Sequence, residues 1–300
     1  ILELAKNRHP SVLVLDSIQT VYIPELNSAP GTVTQVRECA GHPMGLAKRE
    51  NISVILIGHI TKDGNIAGPK VLEHMVDCVL TFEGDMNHQF RLLRSIKNRF
   101  GAANELGVFR MNAQGLQEVA NPSEMFLEER GTNRIGSVIF ASMEGTRPLL
   151  CEVQALTIST QMAMARRTSI GIDVNRLHLL GAVLDRHLNI NLTQSDLFVN
   201  VVGGLQIDEP AADLAMLAAM LSTEGRIEID PKTIFFGEVG LTGELRAVPF
   251  AENRIREGVK LGFTHFILPN SNKRHLDEIP PNINLVWLKT ISELPRALRK

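Results

Sequence analysis

The chain has 300 residues and is 44% hydrophobic, which is enough for two ordinary cores, so two domains are expected. Its formal net charge of −2 argues against a protein that coats nucleic acid through bulk charge, so local basic strips would have to make any such contact. Cys39, Cys78 and Cys151 form no CxxC pair, which leaves disulfides and a zinc site unsupported, and the apolar runs are too short for a membrane span.

The first residues have the pattern of a helix tail, with no initiator methionine and no signal peptide, so we expect a fragment that lacks its N-terminal part. Residues 11–17 then form an apolar run closed by Asp16 and Ser17, the pattern of a parallel strand buried on both faces. Ligands of such sheets gather at the carboxyl ends of strands. Asp16 therefore either holds the magnesium–water shell of a nucleotide, as a Walker B acid does, or caps the next turn.

A second buried strand is predicted at residues 53–58, after a loop at 22–31 and a helix at 33–50 that is interrupted near Pro43. His59 follows this strand directly. It either senses a phosphate by hydrogen bonding or has a structural role. The next ten residues, 61–70, are rich in glycine and polar groups and predict a surface loop of the kind that often contacts ligands.

Residues 91–99 carry four cations and no acid. In an extended segment Phe90, Leu92 and Ile96 fall on one face, while Ser95, Lys97 and Arg99 fall on the other. Two parallel cations at a strand end suit a phosphate or carboxylate partner. The alternative is an edge strand whose charges are solvated and prevent aggregation. This strand is expected to form a hairpin with residues 79–84, and a second hairpin joins 108–111 to 116–119.

A domain boundary is predicted at Asn121-Pro122 and the polar run 128–133, which divides the chain into residues 1–130 and 131–300. Arg166 and Arg167 lie on a linker, where they either touch phosphate or form an exposed, solvated pair. The periodicity predicts helices at 173–188, 210–221, 251–261 and 291–298. It predicts strands at 138–140, 149–158, 197–202, 234–236, 245–248, 266–268 and 285–287.

Three motifs together resemble the bacterial RadA (Sms) family of DNA repair proteins, whose core is a RecA-like ATPase: residues 13–17 (LVLDS), 58–64 (GHITKDG) and above all 97–101 (KNRFG). The resemblance covers essentially the whole chain. It implies that Asp16 is the Walker B acid, which holds Mg²⁺ through water beside Ser17, and that His59 is the sensor. It also implies that Lys97, Asn98 and Arg99 reach the ATP/ADP site of a neighbouring subunit.

The same resemblance makes 22–31 and 61–70 the two DNA-facing loops, with Lys62, Asn65 and Lys70 among the contacts and with Arg166 and Arg167 as further candidates. The sequence departs from the family in having no GxxxxGK[ST] loop and no paired CxxC motifs, both of which lie upstream in the family. We therefore expect that zinc belongs only to a missing N-terminal module and that this chain does not hydrolyse ATP by itself.

The second half resembles the Lon protease domain, an α+β, ribosomal S5-like fold, through the strand–turn–strand at residues 237–244. Alignment with active members places Ala211 at the nucleophilic serine and Glu252 at the catalytic lysine, so no Ser–Lys dyad is expected. The simplest remaining use is assembly and a basic surface. Its candidate residues are Arg166, Arg167, Arg226, Lys232, Arg254, Arg256, Lys273 and Arg274.

The resemblance therefore implies an α/β RecA-like core followed by an inactive Lon-like domain, in a cytoplasmic bacterial motor that forms a ring, expected to be a hexamer. Its expected partners are single-stranded or branched DNA and the RecA recombinase, and its activity is ATP-driven branch migration or helicase action in repair and recombination. The alternative is a non-catalytic oligomerisation and DNA-binding module. A Lon-type peptidase is the third hypothesis.

Overall fold

The computed structural model describes residues 1–59, 71–84, 90–103, 105–128, 130–131, 135–161, 164–192, 194–276 and 278–299. They pack into two compact units. The first comprises Ile1–Thr81 and Ser95–Ala103, and the second comprises Phe82–Arg94 and Asn104–Lys300. The predicted domain boundary at residue 130 stays a prediction.

The helices are α1 (Leu2–Arg8), α2 (Val33–Glu50), α3 (Pro122–Glu128), α4 (Val174–Leu188), α5 (Asp213–Gly225), α6 (Ala251–Lys260) and α7 (Leu294–Ala297). The strands of the first half are β1 (Val12–Asp16), β2 (Ser53–Ile57), β3 (Cys78–Glu83), β4 (Phe90–Asn98), β5 (Leu106–Asn112) and β6 (Gly115–Glu118). Those of the second half are β7 (Ser137–Glu144), β8 (Arg147–Ser159), β9 (Arg167–Ile170), β10 (Ser195–Val201), β11 (Thr233–Phe235), β12 (Glu238–Val239), β13 (Leu245–Arg246), β14 (His265–Pro269) and β15 (Asn284–Leu288).

In the first unit β1 and β2 pair in parallel. Leu13 packs against the buried cluster that α1 and α2 contribute on one side of this pair. On the other side Val12, Val14 and Ile55 are each 51% exposed. The prediction that these strands are buried on both faces is therefore wrong for the residues described, because α1 and α2 cover only one face.

Helix α2 continues without a break through Pro43, so the predicted interruption is wrong. A proline inside a helix removes one backbone hydrogen bond and costs about 3 kcal/mol. The helix continues because buried residues lie on both sides of the proline: Ala40 belongs to the cluster joined by Leu56, and Leu46 to the cluster joined by Leu13. Tertiary packing overrides the local preference here.

The loop at residues 22–31 is held by Gln35, which is 1% exposed on the first turn of α2. Its Oε1 accepts a hydrogen bond from Ile23 N at 2.9 Å, and its Nε2 donates to the carbonyl oxygens of Ile23 (3.1 Å) and Ser28 (2.9 Å). One buried amide thus satisfies several backbone groups of an irregular segment.

Strands β3 to β6 form a sheet in the order β3-β4-β5-β6. The predicted hairpin of β5 and β6 is present, and β3 and β4 are neighbours in the sheet. Because β4 lies between β3 and β5, the alternative of a solvated edge strand is wrong. Ser95 is 7% exposed and Ile96 is 44% exposed, so the face with Ser95 and Lys97 is the more buried one.

The second unit is built on a seven-stranded mixed sheet in the order β15-β14-β11-β7-β8-β10-β9. Strands β7, β11, β14 and β15 pair in parallel, while β8 is antiparallel to β7 and β10. Helix α5 packs on β8 and is buried from Asp213 to Ser222. The α/β fold class with an α+β second half is confirmed. Among the helices described, none is long and apolar enough to cross a membrane.

Helix α3 occupies part of the stretch that the sequence analysis assigned to a boundary. Asn121 accepts a hydrogen bond from Glu124 N at 3.3 Å and donates to Glu124 Oε2 at 3.3 Å. The bond from Glu124 N is that of an N-cap residue, the second bond joins the two side chains, and Pro122 occupies the first helical position, where proline is favoured. The run Asn-Pro-Ser-Glu is thus a helix-start signal and not part of a linker.

Candidate functional site

Asp16 and His59 lie side by side at the carboxyl ends of β1 and β2. The parallel register pairs Asp16 with Ile57, which brings the residues that follow β2 to the Asp16 carboxylate. His59 Nε2 lies 3.9 Å from Asp16 Oδ1, and the two side chains are 74% and 65% exposed. Gln19 Nε2 donates to the carbonyl oxygen of His59 at 3.1 Å and holds the chain there.

The Asp16 carboxylate faces solvent, as a group that contacts a hydrated cation must. Among the residues described, no cluster of three or more histidine, cysteine or acidic side chains forms a metal cage. A single carboxylate nevertheless fits Mg²⁺, which keeps most of its waters and uses one or two carboxylates. Ser17, in contrast to the solvent-facing Asp16, is buried, with 6% of its surface exposed. Its carbonyl oxygen accepts hydrogen bonds from Thr20 Oγ1 (2.8 Å) and Thr20 N (3.1 Å).

Lys97 and Arg99, at the end of β4, both bind the segment 73–77. Lys97 Nζ donates to the carbonyl oxygens of Glu73 (2.7 Å) and Val76 (2.8 Å). Arg99 makes an ion pair with Asp77, from a guanidinium nitrogen to Oδ1 at 2.8 Å, and its backbone N donates to Asp77 O at 2.9 Å. The two cations are therefore held on one short segment by different kinds of acceptor.

Asn98, between these cations, shapes the turn that follows β4. Its Oδ1 accepts from Phe100 N at 3.2 Å, and its Nδ2 donates to Ala102 O at 3.3 Å. A Cβ added to Gly101 would lie 2.8 Å from Asn98 Nδ2, so a larger residue there would disturb this turn. Phe100, at the tip of this turn, is 83% exposed.

The structure therefore groups the predicted nucleotide residues into two sets, both within the first unit. Asp16 and His59 form one set, and Lys97 and Arg99 the other. Among the residues described, no hydrogen bond or ion pair joins the two sets. Asp77, which binds Arg99, was not recognised from the sequence, since nothing in the local pattern connects residues 22 positions apart.

Of the predicted DNA contacts, Lys62, Asn65 and Lys70 lie outside the described residues. The guanidinium of Arg167 donates to the carbonyl oxygens of Ser195 and Leu192, each at 2.6 Å, so this side chain is committed to holding a loop. Arg166 is exposed, and its backbone N donates to Asp196 Oδ1 at 2.7 Å. Of the two arginines, Arg166 presents the freer guanidinium to solvent.

In the second unit, Ala211 and Glu252, the residues predicted at the protease dyad positions, carry neither a nucleophile nor an amine. Ala211 is 2% exposed, in a 3-10 turn before α5. Glu252 lies in the first turn of α6 and pairs with Arg256. Glu209 lies two residues before Ala211 in the sequence, and Arg254 lies two residues after Glu252. Glu209 and Arg254 form a bidentate ion pair, with nitrogen–oxygen distances of 3.1 and 2.5 Å.

Arg254 is 0% exposed, so its predicted place on a basic surface is wrong. Its guanidinium also donates to the carbonyl oxygens of Pro249 (3.2 Å) and Ala141, and it lies over the rings of Phe140 (5.9 Å) and Phe236 (5.8 Å). A buried arginine is tolerated because nearly every donor has an acceptor and because aromatic faces attract the cation. Sequence alone misses it, since arginine is usually exposed.

A second buried ion pair joins Asp213, at the start of α5, to Arg176 of α4. Arg176 Nε donates to Asp213 Oδ1 at 2.7 Å, and Asp213 Oδ2 accepts from Val239 N at 3.0 Å. Burial raises the pKa of Asp213, and the hydrogen bonds from Arg176 and Val239 only partly oppose it. These contacts give the pair a structural role that ties α4, α5 and β12 together.

Comparison with known proteins adds two findings. The family model of the Lon protease (S16) C-terminal proteolytic domain matches residues 155–297. The chain is 49% identical over 289 residues to the DNA repair protein RadA of Bacillus subtilis, covering 96% of the chain and 63% of that relative. It is 47% identical over 285 residues to the RadA of Streptococcus pneumoniae, covering 95% of the chain and 68% of that relative.

A third relative, the DNA repair protein RadA of Listeria monocytogenes, is 47% identical over 291 residues, which cover 97% of the chain and 63% of that protein. The chain thus spans a little under two thirds of the length of most of these relatives.

Proposed function

Because the chain belongs to the RadA family of DNA repair proteins, we propose that it is part of an ATP-driven motor that moves DNA strands during repair and homologous recombination. The observation that carries the proposal is the pairing of a solvent-facing carboxylate, Asp16, with His59 at the ends of two parallel strands. Such strand ends are where parallel sheets bind nucleotides.

In the proposed site the Asp16 carboxylate would hold Mg²⁺ through its water shell, and His59 would hydrogen-bond to a phosphate. Bound there with ATP, the metal ion would supply positive charge against the phosphates. The 3.9 Å separation lets the imidazole respond to changes at the carboxylate. In this proposal Asp16 orients the hydrated metal ion, and His59 transmits the state of the phosphate.

Lys97 and Arg99 are proposed to act on the nucleotide of a neighbouring subunit. The Arg99 side chain is 59% exposed at the end of β4, where a neighbouring subunit can reach it, and this exposure supports the proposal. A cation supplied in trans stabilises charge on the transferring phosphoryl group and makes hydrolysis depend on assembly. The proposed assembly is a ring, with a hexamer as the specific form.

We further propose that the motor acts on single-stranded or branched DNA in the bacterial cytoplasm, where it drives branch migration alongside RecA. The family name supports a role in DNA repair. Reconstitution with branched DNA and RecA tests the proposed branch migration directly.

The second unit is proposed to be a structural module for assembly, without peptidase activity. The specific support is the ion pair of Glu209 and Arg254, which lies beside the aligned dyad positions. Ala211 offers no nucleophile and Glu252 no amine base, so neither step of a Ser–Lys mechanism is available. A non-catalytic oligomerisation and DNA-binding module is the second candidate function for this chain.

The test uses the protein extended to the full length of its relatives, called the full-length protein below. Wild type is expected to bind ATP and to hydrolyse it faster with single-stranded DNA. Lys97→Ala is expected to bind nucleotide normally and to lose on the order of 10³-fold in turnover. Lys48→Ala, which removes an exposed lysine from α2 of the same unit, is the matched control and should retain turnover. Full turnover in Lys97→Ala, or no ATP binding by wild type, would refute the proposal.

A further inference from the structure

The two cations at the end of β4 differ in how their charge is balanced. Lys97 bonds to two neutral carbonyl oxygens, those of Glu73 and Val76. These bonds use two of its three N–H donors, and within the described part of the chain no carboxylate forms an ion pair with it. Arg99 bonds to the carboxylate of Asp77, which neutralises it. Of these described contacts, only that of Arg99 is with an anion, the Asp77 carboxylate.

The contact between Arg99 and Asp77 is exposed and therefore weak. The two side chains are 59% and 51% exposed. Exposed ion pairs of this kind change an equilibrium constant by at most about fivefold, because water and salt screen them. A phosphate group, which carries more charge and offers more acceptor oxygens, can displace a carboxylate held this loosely.

The backbone bond from Arg99 N to Asp77 O, at 2.9 Å, does not depend on the Asp77 side chain. The end of β4 therefore keeps its place on the segment 73–77 when the carboxylate is removed or displaced. Arg99 can therefore exchange the Asp77 carboxylate for another anion without undoing the local fold. The Asp77 carboxylate neutralises the charge of Arg99, whereas the main-chain hydrogen bond fixes the position of Arg99.

We propose that Asp77 is a counter-ion that competes with nucleotide phosphate for Arg99, and so sets how much ATP the assembled motor requires. The proposal rests on the proposed function, in which Arg99 meets the phosphates of a neighbouring subunit. It assigns to Asp77 a regulatory role that is separate from catalysis. Displacement of Asp77 is then the local change that accompanies engagement of Arg99.

The test compares Asp77→Asn with wild type in the full-length protein. The amide has nearly the same shape without the charge, so the KM for ATP is expected to fall by about two- to fivefold while kcat changes by less than about twofold. Asp77→Glu, which keeps the charge, should behave as wild type. In an Arg99→Ala background the effect of Asp77→Asn on nucleotide affinity should vanish, because the competing partner is gone.

An unchanged or raised KM in Asp77→Asn, in a variant that unfolds at the wild-type temperature, would overturn the proposal. So would a lowered KM that persists in the Arg99→Ala background. A second readout does not depend on ATP: on the chain itself, Arg99 should react faster with phenylglyoxal in Asp77→Asn than in wild type, as measured by peptide mass spectrometry. If wild type fails to hydrolyse ATP, the proposed function fails first, and this labelling result still decides whether Asp77 masks Arg99.

Discussion

Replacing Arg254 with methionine is expected to destabilise the second unit by about 3 kcal/mol, because it leaves the Glu209 carboxylate without its partner in a largely buried position. Breaking a buried ion pair typically costs about 3–5 kcal/mol. The lower end applies here, since the Glu209 side chain is 22% exposed and keeps a hydrogen bond from Met143 N at 2.7 Å. For a unit of this size the loss corresponds to a melting temperature lower by about 6–12 °C.

The assay is urea unfolding followed by the fluorescence of Trp287, which is the single tryptophan of the chain and lies in β15 of the same unit. The matched control is Arg256→Met on the same helix. Arg256 is 57% exposed and pairs with Glu252 and Glu278, so its loss should change the free energy of unfolding by no more than about 0.5 kcal/mol. Equal unfolding midpoints for the two variants would refute the reasoning.

A double variant sharpens this test. Adding Glu209→Gln to Arg254→Met removes the unpaired charge, so the pair of changes should cost less than the sum of the two single changes, by about 0.5–3 kcal/mol. Strict additivity would mean that Glu209 and Arg254 do not stabilise each other, despite the nitrogen–oxygen distance of 2.5 Å.

Three further predictions concern other parts of the chain. Burial raises the pKa of Asp213 above its ordinary value, so the contribution of this carboxyl group to stability is fully present at low pH and is lost as pH rises through the native pKa; Asp213→Asn should flatten that part of the pH profile, as measured by urea unfolding. Placing serine and lysine at the predicted dyad positions with Ala211→Ser and Glu252→Lys should produce no peptidase activity on casein, because residue 211 is buried, at 2% exposure, away from substrate. Gln35→Leu should speed proteolytic cleavage at residues 22–31, which lose the hydrogen bonds that hold them; an unchanged cleavage rate would mean that the loop is held by other contacts.

Much of the fold follows from local patterns. The apolar runs predicted β1 and β2, and the leucine spacing predicted α4, whose Leu177, Leu180 and Leu184 are buried. The continuity of α2 through Pro43 was not predictable in this way, because its cause is packing against strands distant in the sequence. The exposure of Val12 and Val14 was also missed, since an apolar run does not reveal how many of its faces are covered.

The site was predictable where parallel pairing determines proximity. Asp16 ends β1 and His59 lies two residues beyond the end of β2, so the parallel pairing of the strands brings these residues close together. The partners of charged groups were not predictable, because ion pairs form between elements far apart in sequence. Arg99 meets Asp77, and Arg254, expected at the surface, meets Glu209 in the interior. Charge alone does not distinguish a solvated arginine from a buried one.

The central claim, that Lys97 completes the nucleotide site of a neighbour, is tested most directly by mixing two inactive full-length variants. Asp16→Asn lacks its own carboxylate but still donates Lys97, whereas Lys97→Ala has the carboxylate and lacks the donor. In an equimolar mixture that exchanges subunits, about a quarter of the interfaces combine both intact residues, so DNA-stimulated hydrolysis should return to about a quarter of the wild-type rate. Hydrolysis that stays at the level of the separate variants, in rings shown to contain both, would contradict the claim.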